Sequence, residues 1–425
     1  MKRRHFFKSL GSIAGGTFLS SGFPVFAQAP AFKKAASGMV KDEKFWTLLR
    51  KQFLIPADYV YLNTGGLGSC PYMVSKTVRK KMAEEDSCPR AGHNEKEWWK
   101  IKERCARLLG PSVKKEELAF TGTATEGINI ILNGLPLQKG DEIITSSHEH
   151  VALNIPLLNK RKRAGIVIRT FSPDREDGLA NVKAIERLIN KRTRLIFTSH
   201  ITCTTGQIMP VNEIGELARS KGIWYAIDGA QALAQMPVNI QSSGVDFYAV
   251  SGHKWLLGPR RTGILYVRER MLDTLHPTVV GAYSSLRYDM AQDRLVIHPT
   301  AQRYEYGTQN EALFYGLEAA VDFITTVGIA TIREHNKRLS ELFYNDLKKI
   351  KWVKILSPEE ETYRSSMITF QVKGKDNAAI CRSLERKGIR VRSVTEGNLD
   401  AVRVSFHVYN NEVERKRLLT EINKL

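Results

Sequence analysis

Between residues 115 and 270 the chain alternates short apolar runs with longer stretches of helical length. A run of a few apolar residues bounded by polar ones is typical of a strand that is buried on both faces. Such strands, separated by helix-length segments, predict an α/β domain with a largely parallel sheet. Seven runs fit this pattern, at residues 118–120, 142–145, 165–168, 194–197, 224–227, 247–250 and 263–267.

After residue 310 the order of the predicted elements changes. A long helical stretch, Asn310 to Ile350, precedes a strand at Met367–Val372 and a helix from Ala378 to Lys387, and two more strands follow at 389–394 and 401–406. This order predicts a smaller α+β domain at the C-terminal end. We therefore expect three segments in the mature chain: an N-terminal segment that joins the small domain (30–60), a large domain (61–305) and a small domain (306–425).

The composition changes this picture little. A length of 425 residues exceeds what one hydrophobic core usually organises, and 42% hydrophobic with 25% charged residues is typical of a folded globular protein. The formal net charge of +20 comes from basic residues that are spread along the chain in short runs. This favours a solvated basic surface over a nucleic-acid site. A basic binding module for acidic polymers is an alternative, and it predicts salt-sensitive binding.

The first thirty residues differ from the rest of the chain. A basic start, Lys2-Arg3-Arg4, precedes a mildly apolar run from Ile13 to Phe26 that is too short and too interrupted to be a permanent membrane span. Basic, apolar and small-residue regions in this order are typical of a signal peptide. The arginine pair followed by Phe6-Phe7-Lys8 resembles the twin-arginine signal, with a Sec-type or lipoprotein-like leader as the alternative. We expect residues 1–29 to be this signal and the mature protein to be exported or periplasmic.

The cysteines predict neither a metal site nor a particular disulfide. Export would permit a disulfide, but the spacing does not select a pair. The five residues concerned are Cys70, Cys88, Cys105, Cys203 and Cys381.

Polar residues follow several of the predicted strands, where ligands bind in open α/β sheets. Thr123 and Glu126 form a capping box after the first strand, which indicates either an anion site at a helix N-terminus or a plain helix cap. His148 and His150 follow the second strand. They could bind a metal together with other polar residues, stack on a flat cofactor ring, or pack in the interior. The further metal candidates are His200 and Asp228.

Asp228 and Lys254 each follow an apolar strand, and their strands are neighbours in the sequence. Burial of a carboxylate or an ammonium is unfavourable unless an opposite charge meets it. A protonated pyridine nitrogen would meet Asp228, and an aldehyde would convert Lys254 to a Schiff base. Pyridoxal phosphate carries both groups. The two residues therefore predict a pyridoxal-phosphate site.

With these motifs the chain resembles the class V aminotransferases of the fold-type-I pyridoxal-phosphate enzymes, over residues 55–425. It is particularly similar to the isopenicillin N epimerase-like and cysteine desulfurase-like branches. The resemblance implies a large α/β domain with a mainly parallel seven-stranded sheet and a smaller α+β domain. It also implies cofactor contacts: Lys254 as the Schiff base, Asp228 at the pyridine nitrogen, Gln231 at the ring hydroxyl, His150 stacked on the ring, and Ser251, His253, Ala124 and Thr125 at the phosphate.

The resemblance extends to the substrate and to a second subunit. Gly307-Thr308 matches the segment that reaches the partner subunit's phosphate, which implies a homodimer with shared active sites. Arg403 matches the arginine that binds the substrate α-carboxylate. The stretch Tyr61-Leu62-Asn63-Thr64-Gly65 looks like the epimerase-type branch and places Asn63 near the substrate.

Two departures from the family pattern bear on the reaction. Desulfurases carry a mobile cysteine in the loop before that arginine, and residues 393–402 contain none, so desulfuration is disfavoured. Cys203 stands where desulfurases have Asn, which puts a ring-hydroxyl contact there in doubt. The resemblance implies an enzyme that acts on the α-amino group or α-carbon of a small amino-acid-like substrate, through an external aldimine and a carbanion. Transamination, epimerisation or racemisation, and β-elimination share that carbanion and stay open, as does a non-catalytic cofactor-binding protein.

Overall fold

The computed structural model describes residues 41–90 and 92–425, and the expected signal peptide lies outside the described residues. The helices in chain order are α1 (Glu43–Arg50), α2 (Tyr72–Ser87), α3 (Glu95–Leu109), α4 (Ala124–Gly134), α5 (Val151–Ala164), α6 (Ala180–Leu188), α7 (Val211–Ser220), α8 (Glu311–Val327), α9 (Ile329–Lys348), α10 (Asn377–Arg386) and α11 (Glu412–Ile422). The strands are β1 (Val60–Tyr61), β2 (Leu118–Thr121), β3 (Glu142–Ser146), β4 (Val167–Phe171), β5 (Thr193–Ser199), β6 (Trp224–Asp228), β7 (Phe247–Ser251), β8 (Gly263–Val267), β9 (Ser285–Asp289), β10 (Arg294–Ile297), β11 (Val353–Ile355), β12 (Met367–Val372), β13 (Ile389–Arg390), β14 (Arg392–Val394) and β15 (Ala401–Ser405).

A seven-stranded sheet forms the centre of the large α/β domain, with the strand order β2-β8-β7-β6-β5-β3-β4. Strand β8 is antiparallel to both of its neighbours, and the other pairs run parallel. Parallel neighbours need crossover connections, which α4 to α7 supply between consecutive strands from β2 to β6. The seven predicted strands and the mainly parallel sheet are therefore confirmed.

The central strands are buried because helices cover both faces of the sheet. Successive side chains of a strand point to opposite faces, so neighbouring residues belong to different cores. Ile227 packs with α7 and α8 on one face, whereas Ala226 packs with α4 and α5 on the other. The carboxyl ends of β5, β6 and β7 come together at one edge, as their parallel register requires.

The C-terminal part forms a four-stranded antiparallel sheet, in the order β11-β12-β15-β14. Helices α9 and α11 pack on it through a separate core that includes Phe343, Phe370 and Leu418. The N-terminal segment reaches this part of the molecule, because β1 pairs with β13 and Trp46 of α1 stacks on His335 of α9. Its exact domain limits stay predictions.

Two sequence-based elements differ from the structure. The single long helix predicted from Asn310 to Ile350 is wrong, since α8 and α9 meet at Gly328 with a bend of 73°. Gly328 has a φ of +95°, a backbone conformation that a Cβ atom disfavours, and it interrupts the helix there. The strand predicted at 389–394 is interrupted at Val391, so that β13 pairs with β1 while β14 pairs with β15.

All five cysteines are free thiols in the structure. Within the described residues no single helix is both long and apolar enough to cross a membrane; α8 and α9 meet the two criteria only together, across their sharp bend.

Candidate active site

A cleft of about 220 Å³ opens at the carboxyl ends of β6 and β7. It brings together seven of the residues predicted to contact the cofactor: Ala124, Thr125, His150, Asp228, Ser251, His253 and Lys254. Six further residues line it: Gly65, Gly66, Thr123, Ala152, Ala230 and Arg392. The polar residues that end separate strands therefore meet in one place, as the general rule for open α/β sheets predicts.

Asp228 is the last residue of β6, and its side chain is only 5% exposed. Its Oδ1 atom accepts a hydrogen bond of 2.9 Å from the backbone N–H of Ala230. Burial raises the pKa of this carboxyl, and the nearby Lys254 and the Ala230 N–H oppose the increase. A buried carboxylate in this position favours a cationic partner inside the cleft.

Lys254 lies in the turn after β7 and is partly exposed to the cleft. Burial lowers the pKa of its ammonium group, and the charge of Asp228 opposes that decrease. The chain after β1 packs tightly over this turn: the Gly68 N–H donates to the carbonyl of His253 at 2.7 Å, and a Cβ on Gly68 would lie 2.0 Å from the Lys254 carbonyl oxygen. These contacts fix the backbone of the turn, and with it the point from which the Lys254 side chain extends.

His150 precedes helix α5 and accepts a hydrogen bond of 3.1 Å from the N–H of Ala152 through its Nδ1 atom. Burial lowers the pKa of its ring to about 4, with a further decrease from Lys254, so the ring is neutral at physiological pH. A neutral aromatic ring held by its own helix suits stacking on a flat cofactor. The preceding Glu149 is buried, and burial raises its pKa to about 7, although the hydroxyls of Ser146 and Ser199 donate to it.

Helix α4 begins at the cleft and directs its N-terminus toward it. Thr123 caps the helix by accepting from the Glu126 N–H at 3.2 Å, and Ala124 donates its N–H to Ser251 Oγ at 3.1 Å. Because Ser251 accepts through its oxygen, its hydroxyl hydrogen remains available for an anion. The Nδ1 atom of His253 is buried without a hydrogen-bond partner among the described residues. These groups together suit a phosphate.

Gln231 is buried behind the cleft and does not line it. Its Nε2 donates to the carbonyl of Gly65 at 2.8 Å, and its Oε1 accepts from Trp255 Nε1–H at 2.8 Å. One N–H of the amide remains available, so the predicted contact with the ring hydroxyl stays a prediction.

Arg403 is completely buried on β15, yet no carboxylate of the described part of the chain pairs with it. Its Nη1 donates to the carbonyl of Cys203 at 2.6 Å, its Nη2 contacts Asn63 Oδ1 at 3.4 Å, and its Nε has no partner among the described residues. Burial lowers its pKa to about 9, with a further decrease from Arg392. The guanidinium lies directly behind Gly65 at the cleft, because a Cβ there would lie 2.9 Å from Nη2. A buried, unneutralised guanidinium suits an incoming carboxylate.

Cys203 contributes its backbone to this arrangement rather than a reactive thiol. The side chain is buried, and burial raises the pKa of the thiol to about 11. A protonated, buried thiol is a poor nucleophile.

Arg392 is the functional candidate that the sequence reading missed. It lines the cleft from β14 and stands directly opposite Arg403 in the antiparallel register with β15. Its guanidinium pairs with Glu396, four residues further along the chain. The sequence shows only an arginine at the start of a short strand. Its position opposite Arg403 becomes visible only once β14 and β15 are paired in the fold.

Thr308 lies outside this cleft. Thr308 borders a separate cavity of about 920 Å³ next to His93 and Tyr283. Among the described residues no group of histidine, cysteine and acidic side chains could hold a metal ion.

The sequence profile of the family described as Aminotransferase class-V matches residues 78–418 of the chain. The chain therefore belongs to the class V aminotransferase family. It is 29% identical over 385 residues to a probable cysteine desulfurase of Methanothermobacter thermautotrophicus, with 86% of this chain and 94% of the relative covered. It is likewise 29% identical over 392 residues to isopenicillin N epimerase of Streptomyces clavuligerus, with 89% and 98% covered.

Among solved structures, C-DES with glycine covalently linked to its PLP cofactor matches with a TM-score of 0.81 at 25% identity, covering 88% of this chain and 98% of that one. This agreement extends over both the large sheet and the C-terminal part. The predicted fold type is therefore confirmed.

The residues of the cleft fit the cofactor of the family. Asp228 suits a protonated pyridine nitrogen, Lys254 suits an aldehyde, and the start of α4 with Ser251 and His253 suits a phosphate. Class V aminotransferases depend on pyridoxal phosphate, and this chain is a pyridoxal-phosphate enzyme.

Proposed function

We propose that the chain catalyses proton transfer at the α-carbon of an amino-acid-like substrate, in a reaction of the aminotransferase type. One observation carries the proposal: the partly exposed Lys254 shares a cleft with the buried Asp228, and the unneutralised Arg403 lies directly behind that cleft. The chemistry that pyridoxal phosphate supplies when bound is an electron sink beside the substrate's α-carbon.

Lys254 is the proposed base. Because burial lowers the pKa of the Nζ group, more of the amine is neutral near pH 7 than in a solvent-exposed lysine. Asp228 is the proposed partner of the pyridine nitrogen: burial raises the pKa of its carboxyl, and a nearby cation, as Lys254 is here, favours the carboxylate. Arg403, held by Cys203 and Asn63, fixes the substrate by its α-carboxylate and so presents the α-hydrogen at a constant place.

Two other reactions share this proton step. The isopenicillin N epimerase relative supports epimerisation, which needs a second proton donor or acceptor on the other side of the α-carbon. β-Elimination needs no such group and no loop thiol. Cysteine desulfuration is the activity named for several relatives, and it competes with all three.

The thiols of this chain favour reactions other than desulfuration. The loop before Arg403, residues 393–402, has no cysteine to attack a substrate sulfur. Cys203 is buried, and burial raises the pKa of the Cys381 thiol on α10 to about 12. Neither thiol is positioned or ionised for attack.

A homodimer with shared active sites is part of the proposal. Thr308 lies away from its own subunit's cleft, which is compatible with a role in the partner's site. The hairpin β9–β10 nearby exposes apolar side chains to an unusual degree, with Tyr288 71% and Met290 86% exposed. Exposed apolar patches of this kind favour association with another subunit.

We also propose export through the twin-arginine route, supported by the Arg3-Arg4 pair of the leader.

Exchange of the α-hydrogen in deuterated water tests the proposal. The cofactor-loaded protein should exchange the α-hydrogen of at least one amino acid from a full panel, and Lys254→Ala should lower the exchange by about 10²- to 10⁴-fold. A keto acid whose formation depends on an added keto-acid acceptor would assign transamination. Inversion without keto acid would assign epimerisation, and a keto acid released together with ammonia in the absence of an acceptor would assign elimination. Absence of exchange with the whole panel would contradict the proposal.

A further inference from the structure

The substrate side of the cleft contains two guanidinium groups. Arg403 on β15 and Arg392 on β14 are direct partners in the antiparallel register, so their side chains leave the same face of the small sheet. Arg392 lines the cleft, and Arg403 lies immediately behind it. One α-carboxylate needs one bidentate arginine, so the second arginine requires a separate explanation.

The two arginines differ in their neutralisation. Arg403 is buried without an acidic partner in the described chain, as expected for a group that waits for a ligand. Arg392 pairs with Glu396, which belongs to the same short segment between β14 and β15. The Glu396 carboxylate thus occupies the Arg392 guanidinium, and a carboxylate of the substrate could take its place.

The surrounding charges favour an additional anion. Burial is the main cause of the lowered pKa of the His150 ring; the charges of Lys254, Arg392 and Arg403 lower it further, and Glu396 opposes them. Asp228 is an acidic residue of the cleft, but the proposed function assigns it to the pyridine nitrogen. An acidic group on the substrate side chain would find Arg392 as its complementary charge.

We propose that Arg392 makes this site selective for amino acids whose side chain ends in a carboxylate, with Glu396 occupying Arg392 until such a substrate displaces it. The inference rests on the proposed function, since it assumes that an amino acid binds through Arg403. It adds a substrate class, dicarboxylic amino acids, and names the residue that recognises the second carboxylate. Glu396 acts as an internal competitor, because its carboxylate and that of the substrate bind the same guanidinium.

Equilibrium binding to the cofactor-loaded protein tests the selectivity. The probes are two isosteric pairs, aspartate with asparagine and glutamate with glutamine, and the readout is the change in the cofactor's absorbance, from which Kd follows. We expect one of the acidic amino acids to bind about 10- to 100-fold more tightly than its amide, the range expected for one charge-assisted hydrogen-bonded pair. Arg392→Gln should remove that difference and leave the Kd of the amide unchanged. Glu396→Gln should act in the opposite direction and tighten acid binding alone.

Arg390→Gln is the matched control. Arg390 also stands on a short strand and also pairs with a glutamate, Glu385, but it is exposed and does not line the cleft. Its substitution removes the same charge two residues away and should preserve the preference for the acid. Melting curves of all three variants establish that each is folded.

Four results would overturn the inference. Equal binding of acid and amide by the wild type is the first, and a preference that survives Arg392→Gln is the second. The third is an equal loss of acid and amide binding in Arg392→Gln, which would show that both arginines bind the α-carboxylate. The fourth is no gain for acids in Glu396→Gln.

If asparagine and glutamine bind as well as their acids, the proposed function stands while the inference fails. If no amino acid changes the absorbance, both fail.

Discussion

Asp228 ends β6 and Lys254 lies in the turn after the neighbouring parallel strand β7, and each opposes the effect of burial on the other's pKa. Burial disfavours the carboxylate of Asp228 and the ammonium of Lys254, while their mutual attraction favours both charges. Burial therefore makes a proton easier to remove from Lys254, and Asp228 offsets part of that effect. The protonated pyridine nitrogen of a cofactor held by Lys254 would be a further cationic partner for Asp228.

Lys254 should be the residue that carries the cofactor. Borohydride treatment of the purified protein should fix the label on the peptide that contains Lys254, and the protein should absorb in the violet before treatment. Lys254→Ala should lose the label and lower α-hydrogen exchange by about 10²- to 10⁴-fold, the usual contribution of a general base. The measurement is mass spectrometry of the reduced protein.

Lys221 provides the control for this prediction. It is an exposed lysine on the surface that pairs only with Glu186 at 3.8 Å. Lys221→Ala should keep the label, the absorbance and the exchange. A label on any lysine other than Lys254 would contradict the assignment.

Asp228→Asn should retain the shape of the cleft and lose most of the activity. The asparagine can still accept from the Ala230 N–H but cannot supply a negative charge to the pyridine nitrogen. We expect α-hydrogen exchange to fall by about 10²- to 10³-fold, similar to removal of one preorganised electrostatic group. Cofactor absorbance should shift in position rather than disappear. An unchanged exchange rate would show that Asp228 does not act on the ring.

The sequence predicted the sheet and the residues at its edge for one physical reason. A strand buried on both faces must be apolar along its length, so a charged residue directly after it is conspicuous, as Asp228 after β6 shows. Lys254 was recognisable in the same way, and the cleft confirms that the two lie together.

Other features could not be predicted because they depend on tertiary contacts. Arg392 looks like any arginine near a strand until β14 pairs with β15 and sets it opposite Arg403. Strand β11 has only three residues and pairs with β12, so its apolar pattern is too short to recognise. The bend at Gly328 follows from packing of α8 against the large sheet and α9 against the small one.

Export should depend on the arginine pair of the leader. Arg3→Lys with Arg4→Lys should retain the protein in the cytoplasm, because the twin-arginine route distinguishes arginine from lysine while the charge is unchanged. Lys2→Gln, which removes a charge but keeps the pair, should permit export. Cell fractionation with immunodetection measures both. Unchanged periplasmic recovery of the double variant would indicate another export route.

His407 should make the stability of the fold depend on pH. It is fully buried, its Nε2 hydrogen bonds to the Trp255 carbonyl at 2.9 Å, and burial lowers its pKa to about 3. The unfolded chain takes up a proton near pH 6.5 and the folded chain does not, so stability present above that pH is lost as the pH falls from 6.5 toward 3. Between pH 7 and pH 5 this histidine should account for a loss of about 2 kcal/mol.

Urea unfolding at the two pH values checks this. His407→Gln should lose less stability between pH 7 and pH 5 than the wild type, by about 2 kcal/mol, whatever its stability at pH 7. His276→Gln, at an exposed histidine, should follow the wild type. Parallel pH profiles for all three proteins would contradict the assignment.

Cysteine should not be a desulfuration substrate of this enzyme. Attack on the substrate's sulfur needs a thiolate on a segment that can move over the cofactor, and the segment before Arg403 supplies Glu396 instead of a thiol. Cys203 is buried with its carbonyl committed to Arg403, and the Cys381 thiol on α10 is held protonated by burial. Incubation of the loaded protein with cysteine should therefore form neither persulfide nor alanine, measured by sulfide release and by amino-acid analysis.

The double variant Cys203→Ser, Cys381→Ser identifies the route if sulfide does form. Sulfide that disappears in this variant would assign one of these thiols as the acceptor. Sulfide with pyruvate and ammonia that survives it would instead assign β-elimination, which uses Lys254 and needs no thiol of the protein.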